Sequence, residues 1–133
     1  MGRLIILASL LIFVCNSIAF GAKSIEAQLR YVADETRKIL PMMIGENIQA
    51  TNIDSSGKTL INYYHFTKQK FEFYNLPAII EKYRRNSIIA ACTNPDTINF
   101  IVNNGGSIQY RFYDSDNDFV DKFTIDSKTC RRL

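Results

Sequence analysis

The chain has 133 residues, with 16 basic and 13 acidic side chains, one histidine, three cysteines and no tryptophan. Its net charge of +3 is too small for a dominant patch aimed at nucleic acid or an acidic surface, and its length is that of one domain with a modest core. Cys and His are too few for a zinc site of the usual kind, and no nucleophile–base pair can be assembled without His65.

Residues 1–21 read as a signal peptide. Gly2 and Arg3 give a short basic start, residues 4–14 (LIILASLLIFV) are apolar, and Cys15, Asn16 and Ser17 break the run. Ala19 and Gly21 fit cleavage after Gly21. The apolar run is shorter than the ~20 residues a spanning helix needs. Lipidation at Cys15 would want small residues before it, where Phe13 and Val14 stand, so a non-lipidated mature form is expected. Residues 22–133 are then a single periplasmic or secreted domain that keeps two cysteines, Cys92 and Cys130. An even count in an exported chain reads as one disulfide. Closing that loop is worth about 4 kcal/mol by loop entropy.

Residues 24–40 predict a helix. Ser24 caps it, Glu26 suits its positive end, and Ile25, Leu29, Val32, Thr36 and Ile39 make one apolar stripe. Pro41 restricts Leu40 and ends it. Residues 47–54 and 59–67 predict two strands about a turn at residues 55–58, where Gly57 can take positive φ. The second strand is apolar on both faces: Leu60, Tyr64 and Phe66 on one, Ile61 and Tyr63 on the other. Such a strand is covered twice or shows one face to a partner.

Residues 68–75 place Phe71, Phe73 and Tyr74 among charges, as a short strand or a ring-bearing loop. Asn75 caps a second helix over 76–92 with Pro77 in its first turn; its second half is apolar nearly all round, so deep burial is expected. Asn94-Pro95 opens a third, short helix with Ile98, Ile101 and Val102 inward, ended by Gly105-Gly106. Strand 107–114 sets Ile108, Tyr110 and Phe112 against Gln109, Arg111 and Tyr113; strand 118–126 sets Phe119, Phe123 and Ile125 on one face. The order α-β-β-α-α-β-β predicts an α+β fold, a four- to five-stranded antiparallel sheet with helices packed on one face.

Few groups are placed for chemistry. His65 lies on a strand between Tyr64 and Phe66 and reads as packed or surface-exposed. Asp114, Asp116 and Asp118 resemble the start of a calcium loop, but its sixth and twelfth positions are Phe119 and Ile125, not Gly and Glu, so an acidic turn is expected. Rings and basic groups mix over residues 63–74 as in nucleic-acid platforms, but an exported chain argues against that partner. Gly105-Gly106 follows a helix and precedes a strand, the wrong order for a phosphate loop. No enzyme, metal or cofactor is expected. The two-faced strand and the ring segment instead make Ile61, Tyr63, Phe71, Phe73 and Tyr74 candidate partner-binding residues.

Cys92-Thr93-Asn94-Pro95, the short helix, Gly105-Gly106, the alternating strand with Tyr110, the turn over residues 114–118 and the closing Cys130 together resemble the small α/β, non-TPR pilotins of type II secretion. Leu40-Pro41, Ile48, Ala50 and the Gly57 hairpin agree, so the resemblance spans most of the mature chain. It implies a Cys92–Cys130 disulfide, a sheet flanked by helices, and a groove receiving the C-terminal helical segment of a secretin subunit. Outer-membrane association would come through that partner. The rival class is a secreted or periplasmic inhibitor or effector, with Arg84, Arg85 and the acidic turn as contacts. A small hydrolase would need two convergent carboxylates, for which only residues 114–126 are rich enough.

Overall fold

The computed structural model describes residues 24–133, so the expectations for residues 1–21 and Cys15 lie outside the described residues. The first helix, α1 (Ile25–Arg37), begins where Ser24 Oγ accepts the Ala27 N–H at 3.2 Å, and it buries Leu29, Val32, Ala33 and Thr36. This spacing makes one stripe against the sheet. The helix ends three residues before Leu40, and Ile39 is exposed and outside the stripe. The chain turns through the cis Leu40–Pro41 bond into an edge strand, β1 (Met42–Gly45), which sequence reasoning missed. It is short and buries only Ile44, so it carries no readable alternation. Asn47, at φ 60°, reverses the chain.

Strands β2 (Ile48–Ser56) and β3 (Thr59–Phe66) form the expected hairpin. Gly57 sits at φ 58° with open space around it, so backbone conformation is what demands glycine there. A single-turn 3₁₀ helix (Lys70–Glu72) follows, then α2 (Leu76–Thr93), capped by Asn75 Oδ1 on the Ala78 N–H. The second half of α2 is buried on one side only: Ser87, Ile88 and Ala91 face inward, while Ile89 is exposed. Asn94 then caps α3 (Pro95–Ile98), its side chain accepting from Asp96 and Thr97, and the helix winds on as a π turn over Asn99–Asn103. The wider i→i+5 winding shifts the inward face. Phe100 and Ile101 are buried, and Val102, expected inside, is exposed. Gly106 packs directly on the Phe100 ring, where a Cβ would collide.

Strands β4 (Ser107–Tyr113) and β5 (Phe119–Ile125) pair antiparallel, and a last short helix, α4 (Ser127–Arg131), was not foreseen. Its signal was present: Asp126 Oδ1 accepts the Thr129 N–H at 3.0 Å while Thr129 Oγ1 accepts the Asp126 N–H at 3.2 Å, a reciprocal cap. Cys130 on α4 is bonded to Cys92 at the end of α2, with Cα atoms 5.3 Å apart.

The five strands lie in the order β1-β2-β3-β4-β5 with helices on one side, the expected α+β arrangement. One pairing differs from a wholly antiparallel sheet: β3 and β4 run parallel. A parallel pair needs a long crossover, and the segment carrying α2 and α3 supplies it. The core lies between sheet and helices. It takes Ile48, Ala50 and Ile53 from β2, Leu60, Tyr64 and Phe66 from β3, Ile108, Tyr110 and Phe112 from β4, and Ile125 from β5. A bulge in β5 changes one side: Phe112 pairs with Asp121 but Tyr113 pairs with Phe119. Two residues against one reverse the alternation. Phe119 therefore leaves the face of Phe123 and Ile125, and is exposed beside Tyr113.

Candidate protein-binding surface

The helix-free face of the sheet is built by alternation. Because Leu60, Asn62, Tyr64 and Phe66 are buried on the helix side, Ile61, Tyr63 and His65 project from the other, each half-buried. The parallel register sets Tyr63 beside Arg111 and His65 beside Tyr113. The Tyr113 ring stacks with Tyr63 at 6.3 Å and with His65 at 5.1 Å, and meets Phe119 edge-on at 5.8 Å. Above Tyr63, at 5.8 Å, lies the Arg111 guanidinium, whose Nε donates to Gln109 Oε1 at 2.6 Å. Stacked rings capped by a cation form a stiff amphipathic surface. His65 is a packing residue here: Nδ1 is 2.6 Å from Thr51 Oγ1 and Nε2 is 2.8 Å from Asn117 Oδ1.

The five candidate residues divide. Ile61 and Tyr63 share this face. Phe71 and Tyr74, beyond the C-terminal end of β3, are 77% and fully exposed, and no core contact holds either ring. Phe73 goes the other way. It packs edge-on against Phe66 at 5.0 Å, on the helix side of the sheet, with Lys68 Nζ 5.8 Å from its ring. It completes the domain's own core, so the five do not line one groove. Tyr64 and Phe66 are buried inward too, which breaks any continuous ring platform across residues 63–74. Arg111, Tyr113 and Phe119 were missed as site residues. Alternation in β4 marked Arg111 and Tyr113 as a pair on one side, but only the β3–β4 register brings them to Tyr63.

The acidic turn is a structural clasp. Asp114 is buried and accepts the backbone N–H groups of Asp116 and Asp118 through Oδ1, each at 2.9 Å, and that of Lys70 through Oδ2 at 3.1 Å. Asp116 Oδ2 accepts Gln69 Nε2 at 2.6 Å, so the ring-bearing segment is tied to the β4–β5 turn. Desolvation pushes the Asp114 carboxyl up, but the backbone donors of Asp118, Lys70 and Asp116 outweigh it and hold it below the ordinary value. A carboxyl lowered by folding contributes stability at neutral pH that is lost as pH falls through its folded value. Asp114→Asn is therefore expected to flatten the acid limb of a stability-against-pH curve measured by denaturant titration. An unchanged acid limb would show that the clasp contributes nothing. On the core side, burial pushes the Tyr110 phenol up to about 12, against a hydrogen bond with Ser87, so its hydroxyl stays neutral inside the core.

No helix among the described residues is long and apolar enough to cross a membrane. Likeness to solved structures makes the fold pilotin-like. The chain is similar to the pilotin EpsS of the Vibrio vulnificus type 2 secretion system, with a TM-score of 0.64 and 13% identity over 80% of this chain and 91% of that one. It is similar also to the type II secretion pilotin AspS of Vibrio cholerae, with a TM-score of 0.59 and 12% identity over 80% and 92%. It is similar as well to the crystal structure of PA3611 from Pseudomonas aeruginosa, with a TM-score of 0.67 and 22% identity over 80% and 93%. No family model and no curated protein matches the sequence.

Proposed function

We propose that the chain is an exported protein-binding module that holds a C-terminal helical segment of a secretin, by the helix-in-groove mode in which an amphipathic helix lays its apolar side on exposed apolar surface. The observation that carries this reading is the uncovered ring face of Ile61, Tyr63, Tyr113 and Phe119 on a pilotin-like fold, with the free rings of Phe71 and Tyr74 nearby in sequence. Phe73 takes part only by bracing that segment through Phe66. The proposal is one of binding, not catalysis, with any outer-membrane association supplied by the partner. Peptides from the C-termini of co-encoded secretins, titrated against the protein and against Tyr63→Ala, test it. Binding weakened by the substitution is the expected result. Absence of binding, or equal binding by the variant, removes the proposal. Export and cleavage after Gly21 are part of the same reading, and the mass of the mature protein checks both along with any lipid on Cys15.

A further inference from the structure

On the helix side of the sheet, away from Tyr63, an open cleft of about 370 Å³ lies between α2, β5 and α4. Its apolar lining comes from Ile88, Phe123 and Leu133, and its polar lining from Thr124, Thr129, Arg84 and Arg132. Phe123 is held rigid by stacking on Tyr110 at 4.8 Å and by Phe112 at 5.9 Å. The two guanidinium groups are not equivalent. Arg84 is already engaged, donating from Nε and Nη2 to the two oxygens of Glu81, whereas Arg132 is exposed and has no side-chain partner among the described residues. No carboxylate side chain lines the cleft. Along the two helical segments that flank it, Lys82, Arg84, Arg85, Lys128, Arg131 and Arg132 stand against Glu81 and Asp126 alone, and Asp126 is used up as the cap of α4.

We propose that this cleft is a second binding site, seating an acidic, apolar-faced stretch of a partner polypeptide: one aliphatic or aromatic side chain against Ile88 and Phe123, and a carboxylate on Arg132. Charge complementarity selects the occupant, since an apolar floor flanked by more basic than acidic side chains favours a segment with both features and disfavours a basic one. The open shape suits a chain lying across the cleft more than a ligand enclosed by it. The site also depends on the disulfide. α4 buries no residue of its own yet supplies Thr129 and adjoins Arg132 and Leu133, and Cys130–Cys92 is the covalent tie that keeps it beside α2. The inference rests on the reading of the chain as a protein-binding module, but not on the ring face.

The test uses the intact oxidised protein and a fluorescein-labelled amphipathic helical peptide with leucines on one face and glutamates on the other, followed by anisotropy. Its companion carries lysines for glutamates. The glutamate peptide is expected to bind and the lysine peptide not. Arg132→Glu, an exposed unpaired position that leaves the fold intact, is expected to weaken binding by about tenfold or more. Added salt and reduction of the disulfide are expected to weaken it as well. Tyr63→Ala is expected to leave it unchanged. Equal binding of both peptides, or indifference to Arg132→Glu, overturns the proposal. Loss through Tyr63→Ala in place of Arg132→Glu also overturns it, and moves the occupant to the ring face with the proposed function standing. Failure of the peptide where decanoate binds and Arg132→Glu abolishes that binding overturns it in favour of a small amphipathic anion.

Discussion

Phe112→Ala is expected to destabilise the domain by about 3–5 kcal/mol, the range for emptying a fully buried aromatic site. Phe112 has no exposed surface and lies where four rings converge: Tyr64 at 5.6 Å, Phe123 at 5.9 Å, Phe66 at 6.0 Å and Tyr83 at 6.2 Å. Those rings come from two strands and a helix, so no single element can move to fill the space. Against a total stability of about 5–15 kcal/mol for a domain of this kind, the loss is a large share. Chemical denaturation measures it directly, with Ile89→Ala as the control because Ile89 is also apolar but 47% exposed. A surface change of that type stays within about 0.5 kcal/mol. Similar losses from both substitutions would mean that the rings around position 112 do not form the centre of the core.

The double variant Cys92→Ser, Cys130→Ser is expected to lose about 4 kcal/mol, the loop-entropy value for a bridge spanning 38 residues. The melting temperature should fall by on the order of 15 °C. The loss should not be spread evenly. α4 has no buried residue, and beyond its reciprocal cap and the 3.4 Å contact from Thr129 Oγ1 to the Thr124 carbonyl it leans on the bridge. Amide exchange should therefore quicken first in α4 and the end of β5, with the β2–β3 hairpin last to open. A melting temperature unchanged by the substitution would contradict this account.

How much of this was readable depends on whether neighbours in sequence or neighbours in space decide a residue's place. Leu60, Asn62, Tyr64 and Phe66 turned inward as alternation required, and so did Ile108, Tyr110 and Phe112. Ser24, Asn75 and Asn94 each capped the helix they preceded, because a cap needs only the next three residues. The Cys92–Cys130 bond agrees with the expectation drawn from an even cysteine count in a chain read as exported. Phe119 could not be placed this way. Its side of the sheet is set by a bulge that exists only against β4. Phe73 could not be told from Phe71 and Tyr74, since three rings in four residues carry no period and only Phe66 separates them. The ring face was half legible for the same reason: Ile61 and Tyr63 were seen from their own strand, while Arg111 and Tyr113 join them through a pairing with a strand more than forty residues away.

That parallel pairing divides the sheet into two locally knit parts. β1, β2 and β3 are joined by tight turns, as are β4 and β5, and β3 with β4 is the one seam that chain proximity does not close. Late closure is the expected habit of such a seam, since distant pairings repay their entropy cost last. Tyr63 and His65 lie on one bank, Arg111 and Tyr113 on the other, with their rings laid across the gap. A polypeptide resting on those rings would act as a splint, lending the hosting domain mechanical cohesion across that join while gaining a foothold for itself.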